Sequence, residues 1–313
     1  MISRRLIRIK VFKVLFSKIN SGNDSVQAAE KELVRSCEKS LDLYYFLMAL
    51  PHELKIVAER KIEAGLQKFH PTKEESNPNR KFVDNLLLKK IEDDPFILRY
   101  CGNHGLNWKE HASFVKKLYA TLSSRDYFIS YMESGEGSFA EDMELISMFF
   151  QEELEDSEDL YTILEDMSIY WADDLAFVLN VIIKKLSTLK ENAEMEHPKV
   201  FLKDDDREYA IRLLDASLAN YEEYTGLMSE YVRNWDPDRL AATDMALIVM
   251  GIAEAVAFKN IPLKVTINEF VELSKYYSTP NSRMFVNGML DRILLSLSEE
   301  GRIEKSGRGL VGS

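Results

Sequence analysis

The sequence predicts an all-α fold, with a helical bundle in its carboxy-terminal part. Three observations predict it. Thirteen glycines and eight prolines are few for 313 residues, so helix breakers are sparse. Apolar residues recur at three- and four-residue spacing over most of the chain. The segment Asn234–Leu297 holds three helix-length runs with start and stop signals in place.

Residues 1–20 carry Arg4, Arg5, Arg8, Lys10, Lys13 and Lys18 and no acid. Ile7 to Val11 alternates like a strand, but the first 20 residues lack Gly and Pro, and Ile9, Phe12 and Phe16 share a face in a helix. We read one helix with a basic start. Its charge fits a solvated helix end, a mitochondrial presequence or an arginine-rich RNA-binding arm.

Residues 21–204 read as further helices. Leu41 begins an apolar-rich one, with a second starting past Pro51 and running to about Phe69. Pro71–Asn79 is a polar loop, and Phe82, Val83, Leu86, Leu87 and Ile91 form another face. Trp108–Tyr131, Phe139–Leu154 and Leu160–Leu189 follow, and Leu189–Asp206 reads as a linker. The run Asn77–Asn85 echoes Thr279–Asn287, as a degenerate duplication or by chance. A duplication predicts two helix starts with equally buried phenylalanines.

The last part, 205–300, holds the three runs. Asn234 or Asp236 caps the first, with Pro237 in its first turn, and the almost wholly apolar stretch to Phe258 marks a central helix. Pro262 ends it. The second runs from about Lys264 to Tyr277. Asn281 or Ser282 caps the third, with Phe285, Val286, Met289, Ile293 and Leu297 on its stripe. Residues 301–313 read as a flexible tail.

Composition narrows the function classes. Net charge is −12, which counts against indiscriminate coating of nucleic acid. Two cysteines fit a reducing cytoplasm better than a disulfide framework. Basic residues interrupt any apolar core near the start, so no signal peptide is expected. The longest apolar run, Met245–Phe258, is too short to span a bilayer and contains Glu254, so no membrane association is expected. Cys101, His104 and His111 lack an evident fourth ligand, and Glu194-x2-His197 occurs once, so no metal is expected. The acidic run Glu152–Asp159 reads as a solvated helix end. No phosphate loop, dinucleotide fingerprint, nucleophile elbow or zinc-protease motif is present, so no catalytic residue and no cofactor is expected.

The order of Ile261-Pro262-Leu263-Lys264-Val265-Thr266-Ile267-Asn268-Glu269, Glu272-Leu273-Ser274-Lys275 and Phe285-Val286-Asn287-Gly288-Met289-Leu290-Asp291 resembles the carboxy-terminal half of the NusB family of bacterial transcription antitermination factors. Arg4-Arg5-Leu6-Ile7-Arg8 followed by Val14-Leu15-Phe16 resembles that family's basic arm and first helix, with Leu6 interrupting the basic run. The resemblance covers about 1–20 and 205–297 and makes most of 21–204 an insertion. It implies a NusB-like bundle and a cytoplasmic, non-enzymatic protein. Such a protein binds a single-stranded rRNA leader element with the ribosomal protein NusE, in an RNA polymerase antitermination complex. Carried over residue by residue, RNA binding falls to Arg4, Arg5, Arg8, Lys10, Lys13, Asn281, Arg283 and Phe285. Asn281 stands where the family usually has an acid. The protein partner's surface falls to Phe16, Asp244 and Glu254, with Val249 and Ala253 replacing the family's usual Arg and Tyr. At Asn268-Glu269 and Asn287-Gly288 we expect hydrogen bonds between helices and close packing at Gly288. The rival reading is an adaptor that keeps the partner surface and has lost RNA.

Overall fold

In the computed structural model the described residues are 1–21, 25–135, 137–231 and 241–310. They form helices in the order α1 (Arg4–Ser21), α2 (Val26–Leu66), α3 (Lys73–Ser76), α4 (Leu86–Glu92), α5 (Pro95–His104), α6 (Ala112–Leu122), α7 (Asp126–Glu133) and α8 (Phe139–Glu152). Then come α9 (Glu158–Met167), α10 (Leu175–Leu186), α11 (Asp206–Ala219), α12 (Tyr221–Tyr231), α13 (Ala242–Ala257), α14 (Leu263–Tyr277) and α15 (Ser282–Glu299). Among the described residues the only extended pairing is an isolated parallel bridge between Ile2 and Phe201. The chain is all-α.

The chain divides into two compact units. One comprises Met1 and Glu38–Val200, the other Ile2–Cys37 and Phe201–Ser313. The boundary between the two units falls at Glu38, inside α2, whereas the sequence reading placed a boundary at residue 21. The first part of α2, Val26–Cys37, belongs to the same unit as α1. Leu33 and Cys37 are fully buried.

In the 38–200 unit, α2 passes through Pro51 as one helix of 41 residues. Proline removes one backbone donor. The buried run Leu43–Leu50, with Leu54 one turn beyond Pro51, supplies packing that outweighs that loss. Phe46 stacks on Trp108 at 3.9 Å and on Trp171 at 5.4 Å. Both indole N–H groups donate to carbonyls of α2, Trp108 to Phe46 and Trp171 to Lys39. The duplication is not supported. Arg80–Asp84 form a turn and Asn85 caps α4, so Phe82 precedes a helix and is fully buried, whereas Phe285 lies within α15 and is half-buried.

In the other unit α13 is the central element. Ala246 to Met250, Ile252, Ala253 and Ala255 are all inaccessible to solvent. The caps expected at Asn234, Asp236 and Pro237 lie outside the described residues. Gly251 is where helices approach most closely, since a Cβ there would sit 2.7 Å from Leu290 Cδ2 and 3.4 Å from Phe270. Gly288, expected to fill that role, has open space around it. The spacing alone could not say which of two helix glycines faces a neighbour.

The flexible tail is also corrected, as far as residue 310. Ser306 N–H donates to Lys259 O at 2.9 Å, and Lys305 Nζ donates to the carbonyls of Ala255 and Phe258. Arg302 pairs with Glu223, and Ile303 is buried. The last carbonyls of α13 carry partial negative charge with no helical donor, and the tail satisfies them.

Candidate nucleic-acid interface

The arm is a regular helix from Arg4, and its arginines are held by carboxylates of three other helices and a loop. Arg4 pairs with Asp205 at 2.8 Å and Asp206 at 3.0 Å, and its guanidinium lies over the Tyr209 ring. Arg5 grips Glu269 with two parallel bonds, Nε to Oε2 at 3.0 Å and Nη2 to Oε1 at 2.9 Å. Arg8 is only 4% exposed. It donates through Nε to Glu254 at 2.7 Å and through Nη1 to Glu269 at 3.4 Å.

Glu254 is the hub of this arrangement. Its carboxylate accepts from Arg8 of α1, from the Tyr209 hydroxyl of α11 and from Thr266 Oγ1 of α14 at 2.7 Å. Burial and the Glu254 charge push the Tyr209 phenol well above its usual range. For Arg8, burial is the largest single influence and works against the charged form, but the charges of Glu254, Tyr209 and Glu269 and the hydrogen bond to Glu254 together outweigh it, and the guanidinium is held more firmly protonated. Two expectations change here. Glu254 and Asp244 do not lie on a partner-facing surface. Glu254 is inaccessible and Asp244 is 5% exposed. A single carboxylate on an apolar helix is there to collect buried donors, and the sequence pattern does not distinguish that from display to solvent. Val249 and Ala253 are equally inaccessible. Of the three expected partner residues, Phe16 alone reaches solvent, half-buried in the last turn of α1.

Lys10 is buried and Lys13 half-buried. Arg5 keeps a solvent-facing side chain, 55% exposed.

At the α14–α15 corner, the start of α15 is fixed by hydroxyls. Ser282 Oγ donates to Asp244 Oδ2 at 2.7 Å and accepts from Thr279 N–H at 3.1 Å. Thr243 and Ser278 hydroxyls meet at 2.7 Å beside it. This lock leaves Asn281, Arg283 and Met284 exposed and Phe285 half-buried. Phe12 of α1 packs on Tyr277 of α14 with ring centroids 5.3 Å apart. Glu272, bonded to Lys275, is held below the usual carboxylate range, with Arg5 and Arg283 both contributing through their charge. Arg5 and Arg283, 278 positions apart in sequence, thus both come close enough to one carboxylate for their charge to act on it. Sequence reasoning missed Tyr276, which is 77% exposed, and Met284, 76% exposed, at the same corner. Tyr276 could have been found. Tyr277 belongs to the buried stripe, and its neighbour points about 100° away from it.

The corner presents cations, an exposed phenol ring and a half-buried phenyl ring at the start of a helix. Such a set can hold a phosphate and stack a base. In the other unit, the residues considered as metal ligands are otherwise engaged. His104 Nδ1 meets Asp42 at 2.7 Å, and the Cys101 thiol, pushed up to about 11 by burial, lies 3.7 Å from the Tyr45 carbonyl.

Residues 175–295 match the family model described as NusB family. The transcription antitermination protein NusB of Salinibacter ruber is 42% identical over 106 residues, 34% of this chain and 66% of that protein. Its namesake in Chloroherpeton thalassium is 34% identical over 34% of this chain and 50% of its own length. That of Methylacidiphilum infernorum is 41% identical over 30% and 65%. The chain thus spans between half and two thirds of these relatives. A solved structure of T. maritima NusB, 28% identical, overlaps 45% of this chain and 89% of its own with a TM-score of 0.30, too loose an overlay to argue from.

Proposed function

We propose, from the premise that residues 175–295 of this chain are a NusB-family domain, that the protein is a transcription antitermination factor acting through RNA. On this reading it binds a single-stranded rRNA leader element together with the ribosomal protein NusE. It tethers that RNA within an RNA polymerase antitermination complex, raising the local concentration of one for the other. The carrying observation is the corner where the charges of Arg5 and Arg283 both act on Glu272, with Tyr276 at the end of α14 and Met284 and Phe285 at the start of α15. Arg5 and Arg283 serve phosphates, and Phe285 and Tyr276 serve bases. Arg4 and Arg8 order the arm through their carboxylates. Lys13 and Asn281 complete the proposed set, and the buried Lys10 is left out of it. Phe16 supports the NusE surface.

The test is the affinity of the full chain for a fluorescent single-stranded rRNA leader oligonucleotide, with and without NusE. Stacking contributes about 1–3 kcal/mol per base. Phe285→Leu, which keeps apolar bulk and loses the flat ring, should weaken RNA binding about 5- to 100-fold with NusE binding unchanged. An unaltered RNA affinity would reject the role of the corner.

The adaptor reading has one observation in its favour: Arg4, Arg5 and Arg8 are all in internal ion pairs. It predicts NusE binding by a chain with no measurable RNA affinity.

A further inference from the structure

The 38–200 unit holds a groove of about 460 Å³ between α2 and α6. Val57, Arg60 and Lys61 of α2 line it, facing Lys116, Tyr119 and Ala120 of α6 and Ser123 just beyond. No acid is among the lining residues, in a chain with 52 acidic and 40 basic side chains. From Ala112 through Arg125 there is no Asp or Glu at all. Glu59 and Glu63 of α2 stand outside the lining. Arg60, Lys61 and Lys116 are exposed, and none is in an ion pair among the described residues. This separates them from Arg4, Arg5 and Arg8, and from Lys117, which is paired with Asp159 at 2.6 Å. Lys61 Nζ lies over the ring of Tyr119, 5.7 Å from its centroid, and Tyr119 is half-buried among the lining residues.

We infer that this groove is a second contact for single-stranded RNA, with Arg60, Lys61 and Lys116 on phosphates and Tyr119 under a base. Three unneutralised cations around one aromatic ring, over an apolar floor of Val57 and Ala120, match a chain that alternates phosphate and planar base. An acidic peptide offers charge without rings and leaves Tyr119 unused. The inference rests on the RNA-binding reading only for the identity of the polyanion. The groove lies outside the matched span 175–295, so it is a property of the inserted body and not of the family domain.

The experiment uses the full chain and a fluorescein-labelled 20-nucleotide oligouridine, titrated between about 50 and 300 mM KCl. Each phosphate contact on a single strand contributes about 0.7 to the salt slope. Arg60→Ala/Lys61→Ala/Lys116→Ala should lower affinity about tenfold at low salt and reduce the slope by about 2. Tyr119→Leu, checked for folding by thermal melting, should weaken binding several-fold with the slope intact. Unchanged affinity and slope in the triple variant would overturn the inference. So would displacement of a bound acidic peptide from the groove by oligoglutamate but not by oligouridine, which would assign it to a protein. Arg5→Ala/Arg283→Ala, measured alongside, separates the two sites. If only that variant loses affinity, the groove fails and the corner stands. If only the triple variant does, the corner fails and the groove stands.

Discussion

Arg8 shows how a residue type can be read correctly and its role misjudged. As a basic side chain in a basic arm it fits RNA binding. Its guanidinium instead lies on Glu254, where Tyr209 and Thr266 also donate. Removing one partner of a buried ion pair strands the other and costs about 3–5 kcal/mol, more than removing both. Glu254→Leu should therefore lower the free energy of unfolding, read from chemical denaturation, by that much, and Arg8→Met/Glu254→Leu by clearly less. A loss in the double variant equal to the sum of the losses in Glu254→Leu and Arg8→Met alone would show that the pair is not coupled. Arg8→Ala is consequently a poor probe of RNA binding, because lost affinity and lost folding coincide. Arg5 and Arg283, at the surface, are the usable probes. Periodicity placed Glu254 on an apolar helix, but the donors it collects come from 246 residues upstream, 45 upstream and 12 downstream, separations no local pattern encodes.

At the scale of elements, two glycines make opposite predictions. Gly251→Ala would push a Cβ to 2.7 Å from Leu290 and should cost about 1–3 kcal/mol, since α13 and α15 are packed in contact there. Gly288→Ala meets nothing within 4 Å and should stabilise by about 0.5–1 kcal/mol through helix propensity. Denaturant midpoints of the two variants moving in the same direction would contradict this packing. The tail makes a third prediction. Burial pushes the Lys305 amine down to about 8, against the opposing charge of Glu254. The docked state thus binds fewer protons than a free tail between pH 8 and the ordinary lysine value. Docking should strengthen as pH rises through 8 and level off above about 10.5. The protection factor of the Ser306 amide, which donates to Lys259 O, would report it, and Lys305→Met should flatten the profile. The helices α13, α14 and α15 were legible because caps, breakers and a 3.6-residue stripe are local signals. The tail's docking was not, because it depends on unsatisfied carbonyls at the end of a helix that the tail sequence does not contain. The boundary between the two units was hidden for a similar reason. One uninterrupted helix, α2, carries the chain from one unit into the other.

For the whole molecule, a net charge of −12 means that affinity for a polyanion must come from local patches. Three of the arm's six positive charges, those of Arg4, Arg5 and Arg8, are already matched by Asp205, Asp206, Glu254 and Glu269. The salt dependence of RNA binding should accordingly be shallower than six basic residues would give. Replacing Arg5 and Arg283 together should lower its slope by about 1.4. The most direct measurement is ultraviolet cross-linking of the full chain to a single-stranded rRNA leader oligonucleotide, with the attached peptides identified by mass spectrometry. Cross-links at Tyr276 or Phe285 are the predicted result. Efficient cross-linking that leaves the α14–α15 corner unlabelled would contradict an RNA site there.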